Sequence, residues 1–188
     1  MDGKAVKFVR DSDEFYFGRY VTDPKTKDAL KRWLSNDWLK SGRSLKDPGE
    51  LAKFRSRFGD RVGKEDYKIL RVVETSVSRS KNWGNIMTVE QAGGTHVEIA
   101  GPNDNITCGW CRGMVGKEFE LKSVVEHVKE VMSQGPEDLP KLSPFLTNVL
   151  TPEQTAEATA EQLLKLGVTL PPYHCSCRHR FIVSKFDD

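Results

Sequence analysis

A chain of 188 residues, 37% hydrophobic and 30% charged, is long enough to bury a core of its own and predicts one domain with at most an extra lobe. No apolar run approaches the roughly 20 residues that cross a bilayer, and the first residues lack the apolar stretch of a signal peptide. We therefore expect no membrane partner and a cytoplasmic setting, where clustered cysteines bind metal or do redox work more often than they form structural disulfides.

The net charge of +2 is unevenly spread along the chain. Residues 1–81 carry 20 Lys and Arg against 13 Asp and Glu, whereas the remainder carries 9 against 14. The basic half is suited to contact nucleic acid or an acidic partner surface. The simpler interpretation is a set of solvated helix faces.

The N-terminal part of the chain predicts helices after an irregular start. Apolar and aromatic pieces in residues 5–21 favour a strand or an extended arm. Asp23-Pro24 marks a helix start, with Asp as N-cap and Pro at the first helical position, and this helix should end at Gly42. A short helix opens at Asp47-Pro48, and a longer one is expected from about 65 to about 91.

The rest of the chain predicts short strands and helices in alternation. Thr151-Pro-Glu-Gln154 is a capping box that opens a helix, and Gly167 ends it. The expected elements are a strand at 95–100, a turn at 101–105, a short strand at 117–121, a helix at 121–133, a loop with at most a short helix at 134–150, a helix at 151–166 and a strand at 180–186.

Two clusters hold all four cysteines of the chain. The first is Cys108-Gly-Trp-Cys111, and a Cys-x-x-Cys step places two thiolates at adjacent corners of a zinc tetrahedron. The second follows Pro171 and offers four donors, of which one zinc ion needs only two: His174, Cys175, Cys177 and His179. The paired clusters therefore predict a metal site that closes a loop of more than sixty residues.

These observations predict an α+β fold. A helical N-terminal half is followed by a small antiparallel β unit, which is clasped by a Cys/His zinc knuckle. A helical insertion lies between the clusters at about 121–166. His127, within a predicted helix, is interpreted as a surface or core residue and Asp104 as a cap on the knuckle.

Three other interpretations compete with a zinc site. Cys108 and Cys111 resemble a thioredoxin redox pair, but such a pair sits at a helix N-terminus, and the two glycines that follow argue against a helix here. Two disulfides are disfavoured in a cytosolic setting. His96-Val-Glu98 before Cys-x-x-Cys echoes the zinc deaminase signature. That motif needs its His and Glu at a helix start, whereas here they lie on a predicted strand.

The order of motifs resembles the Mu F-like family of phage head morphogenesis proteins, the minor head proteins of tailed phages. The family pattern has a Cys-x-x-Cys, a Gly-Lys-x-Phe shortly after it and a closing Pro-Pro-x-His-x-x-Cys-Arg-Cys. The matching residues are Cys108, Cys111, Gly116, Lys117, Phe119, Pro171, Pro172, His174, Cys177 and Arg178. His179 stands where the family usually has its last cysteine, and Cys175 adds a thiol where proline is often found.

The resemblance covers roughly residues 65–186 and divides the chain into a basic, mostly helical region at 1–64 and a Mu F-like domain at 65–188. It implies a structural Zn²⁺ held by Cys108, Cys111, His174 and Cys177, with Cys175 and His179 as alternates. It also implies a non-enzymatic minor capsid protein of the virion, assembled in the host cytoplasm. The expected partners are the portal, other capsid proteins and packaged DNA.

A metal-dependent nucleic-acid-processing enzyme, such as a nuclease or toxin-like effector, is the alternative function. Its basis is the pair of spare donors, Cys175 and His179, beside a basic half.

Overall fold

A computed structural model describes residues 7–8, 11, 21–34, 47–62, 66–135, 137–175 and 177–186. Its α-helices are α1 (Pro24–Trp33), α2 (Pro48–Val62), α3 (Asp66–Gln91), α4 (Gly109–Met114), α5 (Leu121–Ser133), α6 (Leu139–Leu142), α7 (Pro152–Glu157) and α8 (Ala160–Lys165). A 3-10 turn covers Leu146–Asn148, and the strands are β1 (Gly94–Ala100), β2 (Glu118–Glu120) and β3 (Arg180–Phe186).

The three strands form one antiparallel sheet in the order β2-β1-β3. Val97 in the central strand faces Phe119 of β2 and Val183 of β3, and Ile99 faces Phe181. Alternation in β1 turns Val97 and Ile99 into the core. The last strand of the described chain thus pairs with the strand that precedes the first cysteine cluster.

The larger hydrophobic core lies between this sheet and α5. The helix presents an apolar face at helical spacing, with Val124, Val125, Val128 and Val131 buried against β1 and β2. Residues 121–133, part of the predicted insertion, therefore complete the core that covers the sheet.

A second core joins α1, α2 and the first half of α3. Its centre is an aromatic cluster in which the ring centroids of Trp33, Phe54 and Phe58 lie 5.3–5.7 Å apart. Because α3 contributes Val73 to this core and Ile86 to the larger one, a single helix serves both.

The predicted α+β class is confirmed: the described chain is mostly helical, with a small antiparallel sheet and a Cys/His cluster beside it. Helices 66–91 and 121–133 and strands β1, β2 and β3 match their predicted positions. The predicted boundary between residues 64 and 65 stays a prediction.

Two predicted elements differ from the structure. The predicted helix at 151–166 is wrong as a single helix, since α7 ends at Glu157 and α8 starts at Ala160. Thr159 and Gln162 form a second capping box, so Thr159 adopts an extended backbone and starts a new helix. Residues 7, 8 and 11, expected in a strand or arm, are helical, and the remainder of 5–20 lies outside the described residues.

The first predicted helix can be followed only in part. Asp23 caps it as expected, with its carboxylate accepting from the Thr26 N–H at 2.8 Å. Trp38, Leu39 and the expected stop at Gly42 lie outside the described residues.

Ile99 and Ile182 form a matched pair for testing the core assignment. Ile99 is 0% exposed in the central strand, whereas Ile182 is 42% exposed in β3. We expect Ile99→Ala to lower the free energy of unfolding by about 2–5 kcal/mol, because it leaves a cavity, and Ile182→Ala to lower it by less than about 1 kcal/mol. Urea denaturation of the purified protein measures both, and equal losses would contradict the assignment.

Candidate metal centre

The first cysteine pair lies on a short helix rather than on a helix-free knuckle. Cys108 is the N-cap of α4, and Cys111 lies inside it, buried. The expectation that two glycines exclude a helix here is therefore wrong.

Gly109 and Gly113 serve close packing. They lie one turn apart and face α7, where a Cβ on Gly109 would stand 2.8 Å from the Pro152 Cβ and a Cβ on Gly113 would stand 2.9 Å from the Ala156 N. Each glycine costs the helix roughly 1 kcal/mol, and the contact between α4 and α7 offsets that cost. A hydrogen bond supports the same contact between the helices: the Trp110 Nε1–H donates to the carbonyl of Leu150, just before α7, at 2.7 Å.

The segment that leads into the second cluster is held by two buried hydrogen bonds just before its first histidine. The Asn82 side chain, on α3, donates to the Pro171 carbonyl at 3.0 Å, beside a cis Pro171–Pro172 bond. Tyr173 is fully buried, and its hydroxyl donates to the Thr169 carbonyl at 3.0 Å. These contacts fix the backbone on which His174 stands.

The structure brings the two clusters into contact. The His174 Nε2 lies 3.3 Å from the Cys108 Sγ and 3.1 Å from the Cys111 Sγ. The Cys111 Sγ lies 3.7 Å from the Cys177 Sγ, and all four cysteines are free thiols. The Cys111 sulfur thus contacts both His174 and Cys177 of the second cluster.

These separations fit the edges of a zinc coordination sphere. With Zn–S near 2.3 Å and Zn–N near 2.0–2.1 Å, a tetrahedral ion separates two sulfurs by roughly 3.8 Å and a sulfur from a nitrogen by roughly 3.5 Å. A disulfide would need sulfurs about 2.05 Å apart. The donor set can therefore hold a metal ion.

His179 joins the same cluster, and Cys175 does not. Ligand atoms of Cys111, Cys177 and His179 all lie within 4.8 Å of one another, as do those of Cys108, Cys111 and His174. Among the described residues Cys175 belongs to neither group. The cluster thus has five candidate donors, one more than a tetrahedral ion takes.

His179 is enclosed by the loop that follows β1. It is 5% exposed, and neither ring nitrogen has a hydrogen-bond partner among the described residues. A Cβ on Gly101 would fall 2.4 Å from its ring, so a glycine is needed there. Burial, together with the nearby charges of Arg178 and His174, lowers the pKa of His179. The neutral form that a metal ligand requires is therefore favoured.

The thiol environment opposes redox activation of Cys111. Contact with the Cys177 sulfur, burial and the neighbouring Cys108 raise the pKa of Cys111 above its ordinary value. A redox-active cysteine needs a lowered pKa, although Cys108 does occupy the helix N-cap that the thioredoxin interpretation requires. A bound cation supplies the positive charge that lets adjacent thiols ionise together.

A charged pair braces the cluster from outside. Both terminal nitrogens of Arg178 donate to the Asp104 carboxylate, at 2.9 and 2.6 Å, and one also reaches the Thr107 hydroxyl at 3.1 Å. The Arg178 guanidinium holds the pKa of Asp104 well below its usual range. Asp104 therefore joins the turn before Cys108 to the segment after Cys177, rather than acting as a simple cap.

The residues that resemble the zinc deaminase signature do not form a metal site with the cysteines in the described part of the chain. His96 and Glu98 lie on β1, as predicted, and neither belongs to the two groups of metal-binding donors found in the described part of the chain. His127 is half-buried on α5 and also lies outside both groups.

Lys117 has a structural role that sequence reasoning did not assign. Its ammonium donates to the carbonyls of Ala156 and Ala158, where α7 ends. A cation at a helix C-terminus satisfies free carbonyls and matches the helix dipole. The signal in the sequence for this role is the Gly116-Lys117 pair. Gly116 adopts a left-handed backbone with φ of 80°, and this turn directs the chain at Lys117.

In comparisons with known proteins, no family model, no curated protein and no solved structure matches the chain. Within the described residues, no helix has the length and apolar character needed to span a membrane.

The bracing role of Arg178 can be tested against Arg180. Arg178→Lys loses the paired geometry with Asp104, so we expect a bound metal to pass to a competing chelator up to about tenfold faster. Arg180→Lys, an equivalent change at an exposed strand position, should leave the rate unchanged. Absorbance of a chromogenic chelator follows the release, and equal rates for both variants would remove the bracing role.

Proposed function

We propose that this protein is a minor head protein of a tailed phage, associated with the portal, in which the Cys/His cluster holds a structural Zn²⁺. Cys108, Cys111, His174 and Cys177 are its proposed ligands, with His179 as the alternate that also lies in the cluster. The observation that carries the metal assignment is the convergence of two sequence-distant clusters on Cys111, within 3.1 Å of the His174 nitrogen and 3.7 Å of the Cys177 sulfur.

The donor chemistry favours zinc and a closed site. Both groups of donors contain sulfur and imidazole and no carboxylate, which is the ligand set of structural zinc. A catalytic zinc keeps one position for water beside three protein ligands. Five protein donors around Cys111 leave little room for such a position.

The residues that resemble the Mu F-like pattern support the proposal because several of them have a definite structural role in the fold. Gly116 makes the turn after α4, Lys117 caps α7, and Phe119 is buried in the core. Pro171 accepts the hydrogen bond from α3, and Arg178 braces the cluster. The residues that match the pattern thus have roles typical of residues that stabilise a fold rather than of residues that catalyse a reaction.

The proposed assembly role assigns partners to the surface. The portal and other capsid proteins are the proposed protein partners, with packaged DNA as the partner of the basic half. Lys53, Arg55 and Arg57 are exposed on α2, the helix that also buries Phe54 and Phe58. Phosphate contacts by such residues weaken steeply with salt. The proposed location is the head of the virion, with assembly in the host cytoplasm.

A metal-dependent nucleic-acid-processing enzyme remains the second candidate. One observation favours it: a cavity of about 210 Å³ borders the metal cluster and is lined in part by Cys175, Cys177 and His179. Such a space next to metal ligands is where a substrate would bind.

Metal analysis tests the zinc site directly. We expect the reduced, untagged protein to contain about one Zn²⁺ per chain, Cys111→Ser to lose the metal and to unfold, and Cys175→Ser to retain both metal and fold. Elemental analysis with circular dichroism measures these outcomes. A zinc content near zero in the wild-type protein would sink the proposed site.

The two functions separate in a second experiment. Under the minor head hypothesis, the full chain co-purifies with the portal protein encoded in the same genome, and Cys108→Ser abolishes this by unfolding the protein. If Cys108→Ser instead stays folded while a nucleic-acid-cleaving activity of the wild type disappears, the enzyme is the correct function. Cys175→Ser is the matched control for loss of one thiol.

A further inference from the structure

We propose that the cavity between α3 and the C-terminal cluster binds an oxyanion of the phosphate class, held by Thr75, Lys81 and His179. The inference rests on the proposed metal site for one of its three contacts. The proposed oxyanion is a ligand that a purely structural zinc site does not require.

The cavity has two walls. One face of α3 supplies Glu74, Thr75, Val77, Ser78 and Lys81, and the segment after the cis-proline supplies Pro172, Cys175, Cys177, Arg178 and His179. Its volume of about 210 Å³ accommodates a tetrahedral oxyanion with water beside it.

Two buried side chains on opposite walls have polar atoms in need of partners. Thr75 is 7% exposed and His179 is 5% exposed. Among the described residues, neither the Thr75 hydroxyl nor either ring nitrogen of His179 has a hydrogen-bond partner. Buried polar groups in native proteins are almost always hydrogen-bonded, so both side chains point to a partner that lies between them.

His179 connects the metal cluster to the cavity. One of its ring nitrogens lies within 4.8 Å of the Cys111 and Cys177 sulfurs. As the alternate ligand of the metal, His179 would donate its other N–H to a carboxylate, a carbonyl or water. No described residue supplies that acceptor, so an oxyanion in the cavity completes the arrangement.

The remaining lining groups favour an anion of low charge. Lys81 and the hydroxyls of Thr75 and Ser78 are donors. Arg178 is paired with Asp104, and Glu74 and Lys81 contribute opposite charges to the lining, so hydrogen bonding rather than net charge dominates. A phosphate monoanion and a nucleic-acid phosphodiester, each with one negative charge, share this chemistry.

Binding of the metal and of the anion should be coupled. With His179 as the alternate ligand, a cation on one of its nitrogens would polarise the N–H on the other and strengthen its hydrogen bond to the oxyanion. Because coupling between two sites is reciprocal, the anion should also slow release of the metal.

Thr75→Val tests the cavity while sparing the metal ligands. The zinc-loaded full chain is titrated with inorganic phosphate at constant ionic strength, using calorimetry. We expect Thr75→Val to weaken phosphate binding about tenfold, the effect of losing a hydrogen bond to a charged group, with zinc content unchanged. Thr88→Val is the control, because its hydroxyl bonds the Gly84 carbonyl on the same helix outside the cavity.

Lys81→Gln should also weaken phosphate binding, whereas Lys122→Gln, at an exposed position on α5, should not. A wild-type protein that does not bind phosphate, or a Thr75→Val variant that binds it as the wild type does, overturns the proposal. If phosphate binding depends on Thr75 but the protein holds no zinc, the anion site stands and the metal site fails.

A single-stranded oligonucleotide distinguishes the two sources of the phosphate group. If the oligonucleotide competes with inorganic phosphate, and Thr75→Val weakens its binding, the ligand is a nucleic-acid phosphodiester. Phosphate binding without such competition identifies the free anion.

Discussion

The Cys111 sulfur is the point on which the described fold depends most. It is buried on α4 and contacts donors 63 and 66 residues further along the chain, His174 and Cys177. Bringing such distant segments together costs chain entropy that a few thiol contacts do not recover. A bound metal ion would supply the missing free energy, because metal binding to such a site is folding free energy. Beyond the cluster, the chain continues directly into β3, so this contact also delivers the last strand to the sheet.

The approach of the two clusters depends on packing around them. Gly109 and Gly113 let α4 lie against α7, and the Lys117 ammonium donates to a carbonyl at the C-terminal end of α7. The pairing of Arg178 with Asp104 then joins the two segments at the surface. The metal-binding side chains are therefore positioned by residues that do not themselves bind metal. This explains why the motif residues extend beyond the cysteines and histidines.

Regular elements with strong local signals could be predicted from the sequence. The apolar spacing of α3 and α5 and the alternation of β1 are properties of neighbouring residues, and each element forms where expected. The meeting of Cys108 and Cys111 with the second cluster was also expected from the spacing of soft donors, whereas His174 and Cys177 were singled out by the family resemblance. Local composition supplied enough information for these features.

Features decided by partners distant in the chain could not be predicted. Gly113, one of the two glycines that follow Cys111, was interpreted as a helix breaker because its benefit lies in a contact with Ala156, some forty residues away. The break between α7 and α8 depends on a second capping box that competes with continuation of one helix. Burial of His179 depends on Gly101, which sequence reasoning assigned to a turn.

The shared helix α3 makes the two hydrophobic cores thermodynamically interdependent. Its 26 residues span about 39 Å at 1.5 Å per residue, with Val73 in one core and Ile86 in the other. Loss of the smaller core would leave the first turns of α3 without tertiary packing, and isolated helical segments of that length are marginal in water. Fraying would then advance toward Thr75 and Lys81. The length of ordered α3 therefore links the stability of the smaller core to the wall of the cavity beside the Cys/His cluster.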